Sequence, residues 1–291
     1  MESKIRIAVY GRPLVSCSRI GDVLLFLSKL NSISTLHISQ GFLETLPELE
    51  FTAERAYCGA DDFPEVDVLV SIGGDGTLLD CVSLVRDTNI PIWGVNVGRL
   101  GFLTFTSLDD VDEAIQSLLD KTFSIESRSM IEVETDGLLP SFPSALNEAT
   151  VQKQDASMIT IHAYINGEFL GTYWADGVIV ATPTGSTAYS LSIGGPIVDP
   201  HSDVFVISPI APHNLNMRPL VVPDTSILQL EVESRTGYAI WSMDNHRFTI
   251  PSGTSLRLKK SKAQIKFIKF PGANFCVNLR SKLLWGLDKR N

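Results

Sequence analysis

The residues Gly73-Gly74-Asp75-Gly76-Thr77 stand where a strand-like run, Val66 to Ile72, gives way to a helical pattern, Leu78 to Val85. At such a junction three glycines let the backbone approach a polyphosphate closely and turn N–H groups toward it. The helix expected to begin near Thr77 adds the positive end of its dipole. Gly73, Gly74 and Thr77 are therefore read as phosphate-loop residues, with Gly76 beside them. Asp75 does not suit a phosphate ligand, because like charges repel. A carboxylate next to a phosphate cradle can hold Mg²⁺ or accept a proton from an attacking hydroxyl, the two tasks that phosphoryl transfer asks of it. Gly-Asp-Gly alone is more often a tight turn, so the signal lies in five constrained residues directly after a strand.

A second constellation runs from Asp176 through Gly177-Val178-Ile179-Val180-Ala181 into Thr182-Pro183-Thr184-Gly185-Ser186-Thr187-Ala188-Tyr189-Ser190-Leu191-Ser192. A buried strand here enters a loop crowded with hydroxyls and small residues, which can hydrogen-bond a polar ligand at short range, and Tyr189 can stack on a base. By itself the segment also reads as a Ser/Thr-rich turn. The adjacent amide and carboxylate of Asn147-Glu148 could grip ribose hydroxyls, although such a pair more often lies in a solvated loop.

Several common chemistries are missing. None of the 21 glycines precedes a lysine, and Gly74-x-Gly76 has Leu79 where a dinucleotide fingerprint needs its third glycine. Zincin and serine-hydrolase signatures are absent too. The four cysteines, Cys17, Cys58, Cys81 and Cys276, form neither a Cys-x-x-Cys pair nor a disulfide framework, and read as small buried or partly buried thiols. The five histidines show no ligand spacing; His162 reads as a satisfied or surface residue, and His213 sits in a loop near the candidate ligand motifs.

The elements that must carry these motifs change character along the chain. Strand Ile5 to Tyr10, helix Ile20 to Leu30, the Gly73 junction and strand Ile90 to Val95 alternate as in a Rossmann-like α/β domain with a parallel sheet, expected over residues 1–123. Alternating runs such as Met130 to Glu134, Met158 to Ile165 and Leu228 to Val232, with Asn166-Gly167 as a hairpin turn, predict a mostly-β, sandwich-like domain over 124–275. Leu279, Leu283 and Leu284 place a helix within Asn278 to Leu287, in a tail of residues 276–291 expected to pack back on the first domain.

The chain of 291 residues holds 24 Lys and Arg against 33 Asp and Glu, a net charge of −9. That balance disfavours non-specific binding to nucleic acid or anionic membrane, which calls for a basic surface. Apolar runs fall far short of a membrane span, and Glu2, Lys4 and Arg6 interrupt any signal-like start, so a cytoplasmic protein is expected. Phosphate must then be met locally.

Taken together, Gly-Gly-Asp-Gly-Thr, Asn-Glu and Asp-Gly-(apolar)-Thr-Pro-Thr-Gly-Ser-Thr-Ala-Tyr-Ser resemble the NAD kinase family, whose members phosphorylate the adenosine ribose 2′-hydroxyl of NAD. Asn96-x-Gly98-x-x-Gly101-Phe102-Leu103 and Ser208-Pro209 with Pro212-His213 and Arg218-Pro219-Leu220 support the likeness, which runs from about residue 5 to about residue 275. The first motif alone is shared with lipid kinases of the diacylglycerol type and with phosphofructokinases. The resemblance implies that Asp75 is the catalytic base and that the glycines around it meet the triphosphate of ATP. It also implies that Asp75, Gly76, Asn147, Glu148, Asp176, Thr187, Ala188, Tyr189, Ser190, Leu191, Ser192 and Ala211 bind the dinucleotide. ATP and NAD are the implied substrates, a divalent ion such as Mg²⁺ the implied cofactor, and a homodimer or homotetramer the implied assembly. Ser242-Met243-Asp244-Asn245 departs from the family's Asp-Gly, and Asn245 is expected to tolerate the positive φ that glycine would supply. A kinase for a lipid or sugar hydroxyl and a non-catalytic dinucleotide sensor are the competing readings. The long second motif disfavours the first of these, and the intact Asp75 disfavours the second.

Overall fold

Short apolar runs alternating with helical repeats produce a parallel sheet in the first part of the chain. The computed structural model describes residues 4–13, 18–47, 49, 53–98, 101–137, 140–272 and 274–286. Two units divide the chain, Met1–Ser127 with Ile265–Asn291, and Arg128–Gln264. In the first, parallel strands lie in the order Arg55–Tyr57, Ser34–Ser39, Ile5–Gly11, Val68–Ile72 and Ile92–Asn96. Val68–Ile72 and Ile92–Asn96 are buried at every residue, as expected of central strands covered on both faces. Helix Ile20–Ile33 buries Val23, Phe26, Leu27 and Leu30 at helical spacing against this sheet. Trp93 anchors the core, edge-on to Phe26 and Phe270, with its indole N–H donated to Thr106 Oγ1 at 3.1 Å.

The strand order places a topological switch between Ile5–Gly11 and Val68–Ile72, because the chain adds strands on one side of Ile5–Gly11 before returning to its other side. Crevices beyond the C-terminal strand ends at such a switch are where open α/β sheets take ligands. Gly73 follows one of these ends and Arg12 the other.

The second unit is built from antiparallel strands. One six-stranded sheet runs Leu220–Pro223, Val204–Ile210, Gly177–Ala181, Glu148–Lys153, Tyr238–Met243 and His246–Pro251. A second set joins Glu168–Ala175, Ile159–Ile165, Leu228–Glu233 and the start of Ser255–Lys269. Inward residues of both, among them Val151, Trp241 and Phe205 with Ile161, Leu230 and Leu256, form one core, a sandwich-like arrangement. Asn166 and Gly167 both take positive φ, 53° and 85°, as the two-residue hairpin turn requires.

Several boundaries differ from the sequence reading. Units meet at 127/128 and 264/265 rather than at 123 and 275, because the end of Ser255–Lys269 pairs Phe267 with Ile92 and packs Ile268 into the first core. Strands Ser34–Ser39 and Arg55–Tyr57 are additions. The tail helix is Phe275–Leu283, begun by Asn274, whose side chain accepts the Val277 N–H at 2.8 Å. It buries Asn278, not the expected leucine face, and Leu284 ends it in a left-handed conformation. Leu287 and Cys17 lie outside the described residues; Cys58 and Cys276 are exposed, unlike buried Cys81. Among the described residues no helix is long and apolar enough to cross a membrane.

Candidate active site

The helix after the glycine loop starts at Asp75, two residues earlier than expected, with Gly74 as its N-cap and no side chain capping it. The N–H of Gly73 donates to the Val95 carbonyl and that of Thr77 to the Gly74 carbonyl, so these two are engaged internally. The exposed start of the helix offers the remaining N–H groups of its first turn, the usual orphans of a helix N-terminus. Asp75 turns its carboxylate away from them to the segment after Ile92–Asn96. Its Oδ1 accepts the Leu103 and Thr104 N–H groups at 3.0 and 3.1 Å and the Thr104 hydroxyl at 3.2 Å. Among the described residues its Oδ2 accepts the Phe102 N–H alone, at 2.6 Å. Gly101 makes this approach possible, since a Cβ there would stand 1.8 Å from Asp75 Oδ1. Within the same motif, Asn96 fixes the turn through Oδ1 to the Gly98 N–H and through its amide to Thr104, whereas Arg99 and Leu100 lie outside the described residues.

In the second unit the hydroxyl-rich segment is a 3₁₀ turn, Thr184–Thr187, followed by a short helix, Tyr189–Ser192. Thr182 ties it to the Asn-Glu pair: its N–H donates to the Asn147 carbonyl at 2.8 Å and its hydroxyl to the Leu146 carbonyl at 2.6 Å. Gly185 then passes so close to Asn147 that a Cβ would lie 2.1 Å from the Asn147 carbonyl oxygen. Asn147 and Glu148 are held from the other side by Asp244, whose carboxylate accepts the Leu146, Asn147 and Glu148 N–H groups at 2.8, 2.7 and 3.2 Å. The positive φ of this hairpin falls on Asp244 itself, at 48°, and not on Asn245, so the tolerance expected of Asn245 is not called upon.

Burial drives the electrostatics of that cluster. It raises the Glu148 carboxyl to about 8, with the Asp244 charge adding to the effect. Asp244 rises to about 6, again by burial, offset in part by the three N–H groups it accepts. Glu148 is therefore protonated at neutral pH and can donate as well as accept. Among the described residues, Asn147 Oδ1 and Glu148 Oε2 are enclosed without hydrogen-bond partners, as suits groups awaiting a ligand.

Other sequence-predicted residues are placed less uniformly. Thr187 bonds back to the Thr184 carbonyl, Ala188 caps the short helix, Tyr189 is 38% exposed, and Ser190 is buried beside Gly195 while Leu191 and Ser192 are not. Asp176 is ion-paired to Lys153 at 2.7 Å. Ala211 is exposed with φ 44°, and His213 is exposed too, tied to Trp174 only through its backbone N–H in this segment. Sequence reasoning gave no role to Thr104, named Thr182 within the hydroxyl-rich segment without the two bonds it makes here, and took Gly11-Arg12-Pro13 after the first strand simply as a break. There Arg12 forks onto Asp80 at 2.6 and 2.9 Å and lies against Gly76. It also missed Lys282, whose ammonium sits 4.7 Å over the Phe102 ring. Among the described residues no three His, Cys, Asp or Glu side chains converge on a metal site.

Comparison with known proteins follows the same division. Residues 31–123 match the ATP-NAD kinase N-terminal domain and residues 146–270 the ATP-NAD kinase C-terminal domain. An NAD kinase of Cytophaga hutchinsonii is 39% identical over 98% of this chain and 99% of its own length. One from Porphyromonas gingivalis is 43% identical over 98% and 99%. Among solved structures, an NAD kinase from Archaeoglobus fulgidus in complex with ATP aligns at TM-score 0.72 and 25% identity, over 92% of this chain and 94% of that one. Yeast NADH kinase complexed with NADH has the same fold, at TM-score 0.86 and 24% identity over 99% and 90%.

Two predictions follow from the second unit. Gly185→Ala forces a methyl onto a backbone carbonyl that cannot yield, and should lower stability by about 1–3 kcal/mol, read as a reduced urea midpoint at unchanged m-value. Because Glu148 and Asp244 bind protons more tightly folded than unfolded, stability should decline as pH rises from the unfolded carboxyl range, about 4, toward 8. A fall in Tm on the order of 5 °C over that window, flattened in Glu148→Gln, is the expected melting result.

Proposed function

The chain belongs to the NAD kinase family and phosphorylates NAD to NADP with ATP as donor, and from that premise we propose how its own residues divide the work. Asp75 is the base that accepts the proton of the adenosine ribose 2′-hydroxyl as that oxygen attacks the γ-phosphorus of ATP in line. The observation that carries this assignment is the asymmetry of its carboxylate. Oδ1 is filled by three donors, whereas Oδ2 accepts one N–H and keeps a lone pair for a proton. The three backbone donors hold the side chain in one orientation, so the base is positioned before substrate arrives, and positioning is where most of the acceleration of phosphoryl transfer originates. A base supplies on the order of 10²–10⁴-fold.

The N–H groups at the start of helix Asp75–Val85 receive the donor phosphates, in the field of the helix N-terminus. Asn147 and protonated Glu148 grip ribose hydroxyls, the first through its unfilled carbonyl oxygen and the second as donor and acceptor. Tyr189 offers an exposed ring for stacking. Thr187, Ala188, Ser192, Asp176 and Ala211 complete the dinucleotide contacts in this reading. A divalent ion carried in by ATP would supply charge neutralisation on the transferring phosphates, and Asp75 is the protein carboxylate that would approach it, the usual pattern for Mg²⁺ at a triphosphate.

A homodimer or homotetramer is proposed as the assembly. The edge strand Glu168–Ala175 leaves Phe169 60% and Trp174 47% exposed, apolar area that self-association would cover. The proposed compartment is the cytoplasm.

Asp75→Asn should fold and lose NADP formation by at least about 10²–10⁴-fold, followed in a coupled assay; a rate equal to the parent's would refute the base assignment. Tyr189→Ala should raise the KM for NAD by about tenfold, as loss of one stacking contact of 1–3 kcal/mol implies, with the KM for ATP little changed. Parallel rises in both constants would remove Tyr189 from the dinucleotide site.

A further inference from the structure

A charged ammonium enclosed by protein without an acceptor is unfavourable, so it marks a place where an anion is missing. Lys282 is such a group. It lies in the last turn of helix Phe275–Leu283, four residues after buried Asn278 and therefore on the same inward face. Among the described residues, its Nζ is shielded from solvent and has no hydrogen-bond partner. It rests on the Phe102 ring, whose own backbone N–H is the single donor to Asp75 Oδ2. The ammonium is thus one residue removed from the Asp75 carboxylate, whose charge acts on it.

A cation needed only to complement the helix dipole would remain in water, as Arg280 in the same turn does. Ring contact alone is weak compensation for losing hydration. Burial draws the Lys282 ammonium down to about 8, and the nearby Asp75 carboxylate opposes that drop, so at neutral pH the group is still mostly charged. Among the described residues, Arg12 also stands beside the glycine loop, and it is already neutralised by its fork onto Asp80.

We propose that Lys282, carried on the C-terminal helix, is a binding residue for the donor, its ammonium taking the γ-phosphate of ATP next to Asp75. This rests on the NAD kinase reading of the Asp75 loop. When the phosphate arrives, Nζ exchanges a ring contact for charge-assisted hydrogen bonds. The same ammonium then stabilises charge on the transferring group while Asp75 takes the 2′-hydroxyl proton. The tail helix becomes part of the active site in this scheme, and Asn274, which begins that helix, sets the position of the cation from a distance.

The test compares the full-length protein with Lys282→Met, which keeps the stem over Phe102, and Lys282→Arg, which keeps the charge. Kinetics are measured with ATP and NAD varied separately, and inorganic tripolyphosphate binding is measured by calorimetry without NAD. Lys282→Met should raise the KM for ATP and the Kd for tripolyphosphate by about 10- to 100-fold, the range of one charge-assisted hydrogen bond or two. The KM for NAD should stay within about twofold, and Lys282→Arg should recover most of the loss. Melting curves should show Lys282→Met at least as stable as the parent, because an unpaired buried charge has been removed. The proposal is overturned if tripolyphosphate binds Lys282→Met as it binds the parent, if both KM values rise together, or if Lys282→Arg is no better than Lys282→Met. A parent protein that bound tripolyphosphate through Lys282 yet made no NADP would refute the kinase reading and leave the phosphate site standing.

Discussion

Each unit of this protein is organised by one aspartate that accepts three consecutive backbone N–H groups. Asp75 takes those of Phe102, Leu103 and Thr104, and Asp244 those of Leu146, Asn147 and Glu148. Three successive peptide N–H groups can converge on one acceptor only in a turned, non-repetitive conformation, so each carboxylate dictates the path of a loop that could not otherwise hold a single shape. The demands on neighbouring residues follow. Gly101 is needed because the Asp75 carboxylate comes too near for a Cβ, and Gly185 because the loop tied down by Thr182 crosses the Asn147 carbonyl at van der Waals distance. These glycines serve closeness of approach rather than flexibility.

Using N–H groups in this way also limits what remains for phosphate. The donors of residues 102–104 are occupied by Asp75, and those of Gly73 and Thr77 by neighbouring carbonyls. Among the described residues of that loop, a chain of net charge −9 therefore leaves for an anion the first turn of one helix and the cations beside it. With Arg12 committed to Asp80, the ammonium of Lys282 is, among the described residues, a charge left without an anion in that neighbourhood. Acidity overall and strong local attraction for phosphate are compatible because the second depends on a few desolvated groups, whose interactions are screened far less than those of surface charge.

Much of the fold was legible because it rests on local periodicity. The buried strands Val68–Ile72 and Gly177–Ala181, the Asn166-Gly167 turn and the change from helical to alternating patterns all announce themselves within a few residues. The motif residues Asp75, Asn147, Glu148 and Tyr189 were legible for a different reason, namely their order and spacing. What escaped were relations between distant positions. Nothing near Asp244 in sequence says that it will hold residue 147, and nothing near Lys282 points to Phe102, 180 positions away. The tail helix misled for a physical reason. Its leucines fit an apolar face, but the fold turns the adjacent face inward, burying Asn278 and the Lys282 ammonium where polar groups are useful only if a ligand or loop meets them.

That observation bears on how the site withstands its own unfavourable terms. Asn147 Oδ1, Glu148 Oε2 and Lys282 Nζ are enclosed polar atoms without partners, and each destabilises the ligand-free protein. They persist because each sits on a scaffold fixed by other bonds: Asn147 and Glu148 by Asp244, and Lys282 by the capped helix over Phe102. A group held this way cannot relax toward an alternative partner, so a ligand atom that met it would recover the free energy lost in the empty protein. The protonated state of Glu148 belongs to the same logic. Burial, with the Asp244 charge adding to it, favours the protonated carboxyl, and taking up a proton relieves the repulsion of the pair and gives Glu148 a hydrogen to donate. Preorganisation here consists of backbone N–H groups locked by two aspartates, with the unpaired polar atoms mounted on what they lock.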